Sequence, residues 1–157
     1  YLDNSPMTII IRTSWLYSNF GHNFMKTVLR LGVEKEEIRM IFDQVGTPTY
    51  AGDLAWAILQ IIQKSMENPS GFVPGLYHFS NEGVASWYDF AKEIIDLAGL
   101  KTKVIPIETS EYPLPAPRPQ YSVLNKKKIK ETYGIEIRHW KDGLRECMGL
   151  WGKGLLR

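Results

Sequence analysis

The chain of 157 residues contains one cysteine, Cys147, and three histidines. A single thiol excludes an internal disulfide framework and any multi-thiolate metal site within one chain. His22, His78 and His139 have no metal-ligand spacing, and each reads as a structural or surface residue. Charge of one sign is also lacking. The 19 Lys and Arg against 17 Asp and Glu leave +2, so nothing in the balance calls for nucleic acid or an anionic membrane. No apolar run approaches the ~20 residues that cross a bilayer, and the first residues do not read as a signal peptide. A reducing, cytoplasmic setting is the expectation. The dinucleotide fingerprint G-x-G-x-x-G and the P-loop are both missing. The stretch from Gly149 to Gly154 is glycine-rich, but no strand precedes it, and it reads as a frayed terminus.

What is there fits one globular α/β domain, with 44% apolar and 23% charged residues. The chain starts at Tyr1, and the β-branched run Thr8 to Arg12 follows almost at once. Such a run resembles a buried parallel strand, which needs neighbours on both sides. Few other segments are as strand-like. The chain is therefore expected to be the C-terminal part of a longer α/β protein whose main sheet lies upstream.

Asn23 is a good N-cap, and Phe24, Val28 and Leu31 line one face of a helix for which Gly32 is a plausible stop. Residues 38–42 read as a short strand leading into a turn-rich segment, 43–49. A second helix spans about Asp53 to Met66, its acidic start suited to the helix dipole. Asn68 to Gly71 breaks the chain, and residues 75–79 and 103–107 read as strands. Ser86-Trp87-Tyr88-Asp89 fits a capping box, with a helix running on to Gly99. Prolines 113, 115, 117 and 119 make residues 109–120 an extended loop. Two further helices are expected near 125–133 and 140–150.

Some patterns carry little. Tyr88 and Lys92 match Y-x-x-x-K, yet i, i+4 pairs are common and no cofactor-binding strand precedes this helix. Lys126, Lys127, Lys128 and Lys130 hint at a local anion, but a solvated face is the simpler reading. Cys147 has apolar neighbours and reads as core.

Three separated strings work better together. Arg12-Thr13-Ser14-Trp15-Leu16-Tyr17, with Gly21-His22-Asn23-Phe24, delivers polar and aromatic groups to the carboxyl end of a buried strand, where open α/β sheets bind ligands. Asp43 to Thr49 adds hydrogen-bonding side chains. Arg118, set between Pro117 and Pro119, is rigidly presented, as a clamp for phosphate oxygens would be.

With G-L-Y-H-F-S at 75–80, S-W-Y-D-F-A at 86–91 and A-x-R-P-x-x-S-x-L at 116–124, these strings stand in the order of the dTDP-4-dehydrorhamnose reductases, which are extended short-chain dehydrogenases. The resemblance runs from about Met7 to Leu150. It implies the end of a Rossmann-type parallel sheet at 7–22 and a smaller mixed α/β sugar-nucleotide-binding domain over most of 23–157. It implies hydride delivery from NADPH, or NADH, to the C4 ketone of a dTDP-deoxyhexulose, giving dTDP-L-rhamnose for cell-surface polysaccharide. The glycine-rich loop and the family's own Y-x-x-x-K would lie upstream with most of the cofactor site, so the chain alone is expected to be inactive. Thr13 and Ser14 would approach the nicotinamide, and Trp15 would wall the deoxysugar. Asn23 would lie near the sugar nucleotide, Arg118 would pair with its diphosphate, and Gln44 and Thr49 would shape the pocket. No metal is implied, and a homodimer is compatible. Plainer roles stay open: Trp15 as core, Asn23 as a helix cap, Arg118 as a loop arginine. The resemblance leaves two other readings open: a regulatory subunit of the methionine adenosyltransferase type, and another sugar-nucleotide reductase or epimerase. The D-Q-x-G-x-P-T string argues against an epimerase.

Overall fold

A computed structural model describes residues 7–112 and 118–155. In chain order its elements are β1 (Ile9–Arg12), β2 (Leu16–Tyr17), α1 (Phe24–Glu34), β3 (Glu37–Ile41), β4 (Val45–Gly46), β5 (Thr49–Tyr50), α2 (Ala51–Glu67), β6 (Gly75–His78), β7 (Ala85–Ser86), α3 (Trp87–Leu97), β8 (Lys103–Ile107), α4 (Lys127–Tyr133) and α5 (Trp140–Leu155). The strands associate in pairs: β1 with β6, β2 with β5 and β3 with β8 in parallel, and β4 with β7 antiparallel. The expected α/β class with parallel strands is what forms. The two-residue strands β2, β4, β5 and β7 were not legible in the sequence, because two residues carry no periodicity.

Helix starts follow their side chains. The Asn23 carboxamide oxygen accepts from the Lys26 amide. Ser86 and Asp89 close the capping box reciprocally, Ser86 Oγ accepting from the Asp89 amide and Asp89 Oδ2 from the Ser86 amide. Gly32 does not stop α1, which continues to Glu34. Gly32 is buried, and a side chain there would press into the tips of Ile95 and Leu100, so the glycine serves close packing of α1 on α3. The glycine-rich end likewise stays helical as far as Leu155, which corrects the reading of a frayed terminus. Of the proline-rich loop, Thr109–Glu111 forms a 3-10 turn, and residues 113–117 lie outside the described residues.

Two apolar clusters form. One joins α1, α3, β3 and α5 through Met25, Val28, Phe90, Ile94, Leu144 and Cys147. The other gathers Ala57 and Ile61 of α2, Tyr77, Phe79 and the α4 residues Ile129 and Tyr133, with Ile9 and Ile11 of β1 packed against them. Polar groups tie α2 to α5: Asp53 accepts from Asn81 Nδ2 (2.6 Å) and from Arg138, whose other amino group meets Glu146 at 2.7 Å.

The lysine run is not a solvated face throughout. Lys126 is buried, with Nζ donating to the Asn81 carbonyl (3.1 Å) and paired with Glu82 (3.2 Å); Lys130 pairs with the same carboxylate. Lys128 lies over the Tyr77 ring. No helix among the described residues is long and apolar enough to cross a membrane.

Candidate functional site

The segment after β1 turns sharply. Thr13 is exposed beyond the carboxyl end of the β1–β6 pair, and Ser14 Oγ donates to the Thr47 carbonyl at 3.1 Å. Trp15 follows with φ +47°, the only positive φ among the described non-glycine residues. A left-handed backbone is costly for a bulky side chain, so the surroundings must hold it there. The Trp15 carbonyl accepts from the Thr49 amide (3.0 Å), and its indole lies against Gly46 and on the ring of Trp87. The two indoles stack with centroids 3.6 Å apart and planes within 8°. Phe24 packs on Trp87 from α1, at 4.7 Å and a tilt of 52°.

The residues of 43–49 turn inward. Gln44 is 2% exposed and uses both ends of its amide, accepting from Trp87 Nε1 (3.2 Å) and donating to Thr109 Oγ1 (3.1 Å). Thr109 in turn donates to Asp43 Oδ1 through its hydroxyl and its amide, at 2.7 and 2.9 Å. Thr47 and Thr49 are fully buried, Thr47 donating to the Gly83 carbonyl at 2.8 Å.

Beside this aromatic group opens a cleft of about 520 Å³, lined in part by Phe24, Met40, Trp87, Tyr112, Arg39 and Arg118. Arg39 is tied to Glu111 at 2.6 Å, whereas Arg118 is exposed at the rim. An apolar, aromatic floor with guanidinium groups at its edge suits a flat ring carrying an anionic tail. Phe24, which belongs to the first string, supplies the aromatic surface together with Trp87 and Tyr112, which the sequence does not single out for a site. In the sequence Trp87 reads only as part of a capping box and of one family string. The available signal was its position at the first turn of a capped helix.

Of the residues singled out from sequence, Arg118 lines the cleft. Trp15 and Gln44 stand behind its wall, joined to it through Trp87. Asn23 is fully engaged at the start of α1: besides capping, its Nδ2 donates to the carbonyls of Ser18 (2.7 Å) and Phe20 (3.2 Å). Thr49 contacts the Trp15 backbone from within the core. Among the described residues no group of three or more His, Cys, Asp or Glu side chains could hold a metal ion.

Comparison with known proteins adds to this geometry. Residues 2–151 match the family model of the RmlD substrate binding domain. The chain is 45% identical over 139 residues to the spore coat polysaccharide biosynthesis protein SpsK of Bacillus subtilis strain 168, covering 88% of this chain and 46% of that protein. It superposes on the crystal structure of a dTDP-4-dehydrorhamnose reductase from Clostridium acetobutylicum with a TM-score of 0.85 and 42% identity, covering 94% of this chain and 50% of the other. The corresponding reductase from Bacillus anthracis, solved in complex with NADP, gives a TM-score of 0.82 and 39% identity over 90% of this chain and 48% of that one. The chain thus spans about half the length of the relatives it matches.

Proposed function

The chain belongs to the RmlD substrate binding domain family, and from that premise we propose that it is the substrate-binding part of a sugar-nucleotide reductase of about twice its length. The reaction is reduction of the C4 ketone of dTDP-4-dehydro-L-rhamnose to dTDP-L-rhamnose, in the cytoplasm, for cell-surface polysaccharide. The observation that carries this reading is the aromatic cleft edged by Arg118, in a chain similar at 42% identity to a dTDP-4-dehydrorhamnose reductase.

In this reading the thymine ring enters the apolar part of the cleft between Phe24, Met40 and Tyr112. Arg118 pairs with the diphosphate, and a charge-assisted contact of this kind contributes ~1.5–3 kcal/mol. Trp15, beyond the partition made by Trp87, walls the deoxysugar and excludes water from around the ketone. Gln44 and Thr49 shape the site from inside, through Trp87 and through the Trp15 backbone. Asn23 acts by fixing the start of α1, which carries Phe24.

NADPH, or NADH, supplies the hydride when bound. The residues of this chain fit its nicotinamide end only. Thr13 is exposed at the carboxyl end of a parallel strand pair, where α/β proteins receive ligands, and Ser14 anchors the turn beside it. The rest of the cofactor site belongs to the upstream half, so the chain alone is inactive. Residues 7–22 close the cofactor domain, and most of 23–157 forms the substrate domain, with α2, β6 and α4 reaching back to cover β1.

The test is NADPH oxidation with dTDP-4-dehydro-6-deoxyhexulose by the longer protein, the 157-residue chain and an Arg118→Ala version of the longer protein. Turnover by the long form alone, with KM for the sugar nucleotide raised about tenfold in the variant, supports the reading. A folded long form that binds cofactor yet turns nothing over refutes the reductase and favours a regulatory subunit of the same fold.

A further inference from the structure

We infer that Trp87 is a positioning residue for Trp15, itself held by a hydrogen-bond chain through Gln44, Thr109 and Asp43. The inference rests on the reading above that Trp15 walls the deoxysugar.

The chain of polar groups has a forced direction. An indole N–H can only donate, and an ionised carboxylate can only accept. Trp87 Nε1 donates to Gln44 Oε1, the Gln44 amide nitrogen to Thr109 Oγ1, and the Thr109 hydroxyl to Asp43 Oδ1. With a donor-only group at one end and an acceptor-only group at the other, the Gln44 amide cannot flip without losing two bonds. Gln44 is 2% exposed, so water does not replace them. The indole of Trp87 is therefore tied to two other segments of sequence, 43–44 and 109.

The Trp87 plane sets the plane of Trp15. With the rings 3.6 Å apart and 8° from parallel, neither tilts without the other, and Gly46 stands against the Cε2–Nε1 side of the Trp15 indole. Trp15 also sits on a left-handed backbone that its own residue type disfavours. Its orientation is thus imposed by neighbours, and Trp87 supplies the largest flat surface among them. A wall that must present one face to a reacting ketone loses rate when it tilts, because misplacement by about an ångström is enough to slow a positioned reaction.

The experiment uses the longer protein and a double-mutant cycle. Trp87→Phe keeps an aromatic face but has no donor for Gln44; Trp87→Leu removes the face. Each is made alone and with Trp15→Leu, and kcat, KM and the Kd for dTDP alone are measured. The expected result is a fall in kcat/KM of about tenfold for Trp87→Leu and less for Trp87→Phe. Neither substitution lowers kcat/KM by more than about a further twofold once Trp15 is Leu. Should Trp87→Leu not fold, Trp87→Phe carries the cycle by itself. Effects that multiply independently overturn the inference, as does a loss confined to dTDP affinity with kcat unchanged, which would make Trp87 a contact to the cleft's ligand and nothing more. A parent protein without turnover removes the functional reading as well; an active parent with independent effects removes this inference alone.

Discussion

Gly46→Ala tests whether the indole sandwich is as tightly closed as its geometry requires. A Cβ on Gly46 would stand 2.6 Å from Trp15 Cε2, 2.7 Å from its Nε1 and 2.6 Å from Ser122 Oγ. Unstrained carbon contacts lie near 3.5–4.0 Å, so the indole has to retreat by about 1 Å. Ser122 can turn its hydroxyl aside at the cost of its bond to the Val45 carbonyl, but Trp15 is stacked on Trp87 at 3.6 Å and does not shift without disturbing that pair. Either the stack opens or β4 moves away from β7, its antiparallel partner. Overpacking of this kind costs about 1–3 kcal/mol, and loss of the ring pair adds about 0.5–1.5 kcal/mol. Against this, replacing glycine stabilises by about 0.4–1 kcal/mol through the unfolded chain. The net is a destabilisation of about 2 kcal/mol, equivalent to a fall in Tm of roughly 4–8 °C for a chain of this size. Thermal unfolding followed by circular dichroism reads it directly. The control is Trp15→Ala, in whose background Gly46→Ala is expected to cost less than about 0.5 kcal/mol, since the obstructing ring is gone. A variant melting with the parent, or an equal loss in both backgrounds, would refute the steric argument.

Two further outcomes follow from titratable groups, one buried and one half-buried. Cys147 is fully buried, and burial pushes its thiol up to about 12, so at neutral pH almost no thiolate exists to react. Iodoacetamide labelling of the folded protein is expected to be at least a hundredfold slower than in denaturant, and labelling at the unfolded rate would contradict the packing of α5 on α1 and α3. Burial alone would raise the carboxyl of Glu82, but hydrogen bonds from Lys130 and Lys126 outweigh it and hold the group below its ordinary 4.5. A depressed carboxylate stabilises above its unfolded value and loses that contribution as the pH falls through its folded one. Glu82→Gln is therefore less stable than the parent at neutral pH, with the gap narrowing as the pH drops below 4.5. Denaturant titrations across the acid range check it, and a gap independent of pH would sink the assignment.

The elements legible in the sequence are those with local causes. Asn23 and Ser86 announced helix starts because capping is a bond between residues two or three apart. The apolar periodicity of α1 and α3 announced their buried faces. Gly32 misled because a glycine in a helical pattern has two explanations, a stop or a close approach, and only the position of Ile95 and Leu100 decides between them. The lysine run at 126–130 misled for the same reason: Glu82, which holds Lys126 and Lys130, lies more than forty residues upstream.

The candidate site divides along that line too. Arg118 was legible because flanking prolines and a lone charge make a local statement about presentation, and it does stand at the cleft. Gln44 and Trp87 were each visible as members of strings, but their joint role is a contact between residues 43 positions apart, to which Thr109 adds a third segment. A polar side chain in a functional string invites the reading that it touches the ligand. Here Gln44 is 2% exposed with both ends of its amide engaged, so it can affect a ligand only through what it holds. The same reasoning applies to Asn23, whose amide is spent on the start of α1. Side chains that hold and side chains that touch leave the same mark in a sequence, and burial together with hydrogen-bond occupancy separates them. On that criterion the contacts proposed for a sugar nucleotide fall to Arg118 and the aromatic rings, and the proposed part of the hydrogen-bonding residues of the strings is to fix where those rings stand.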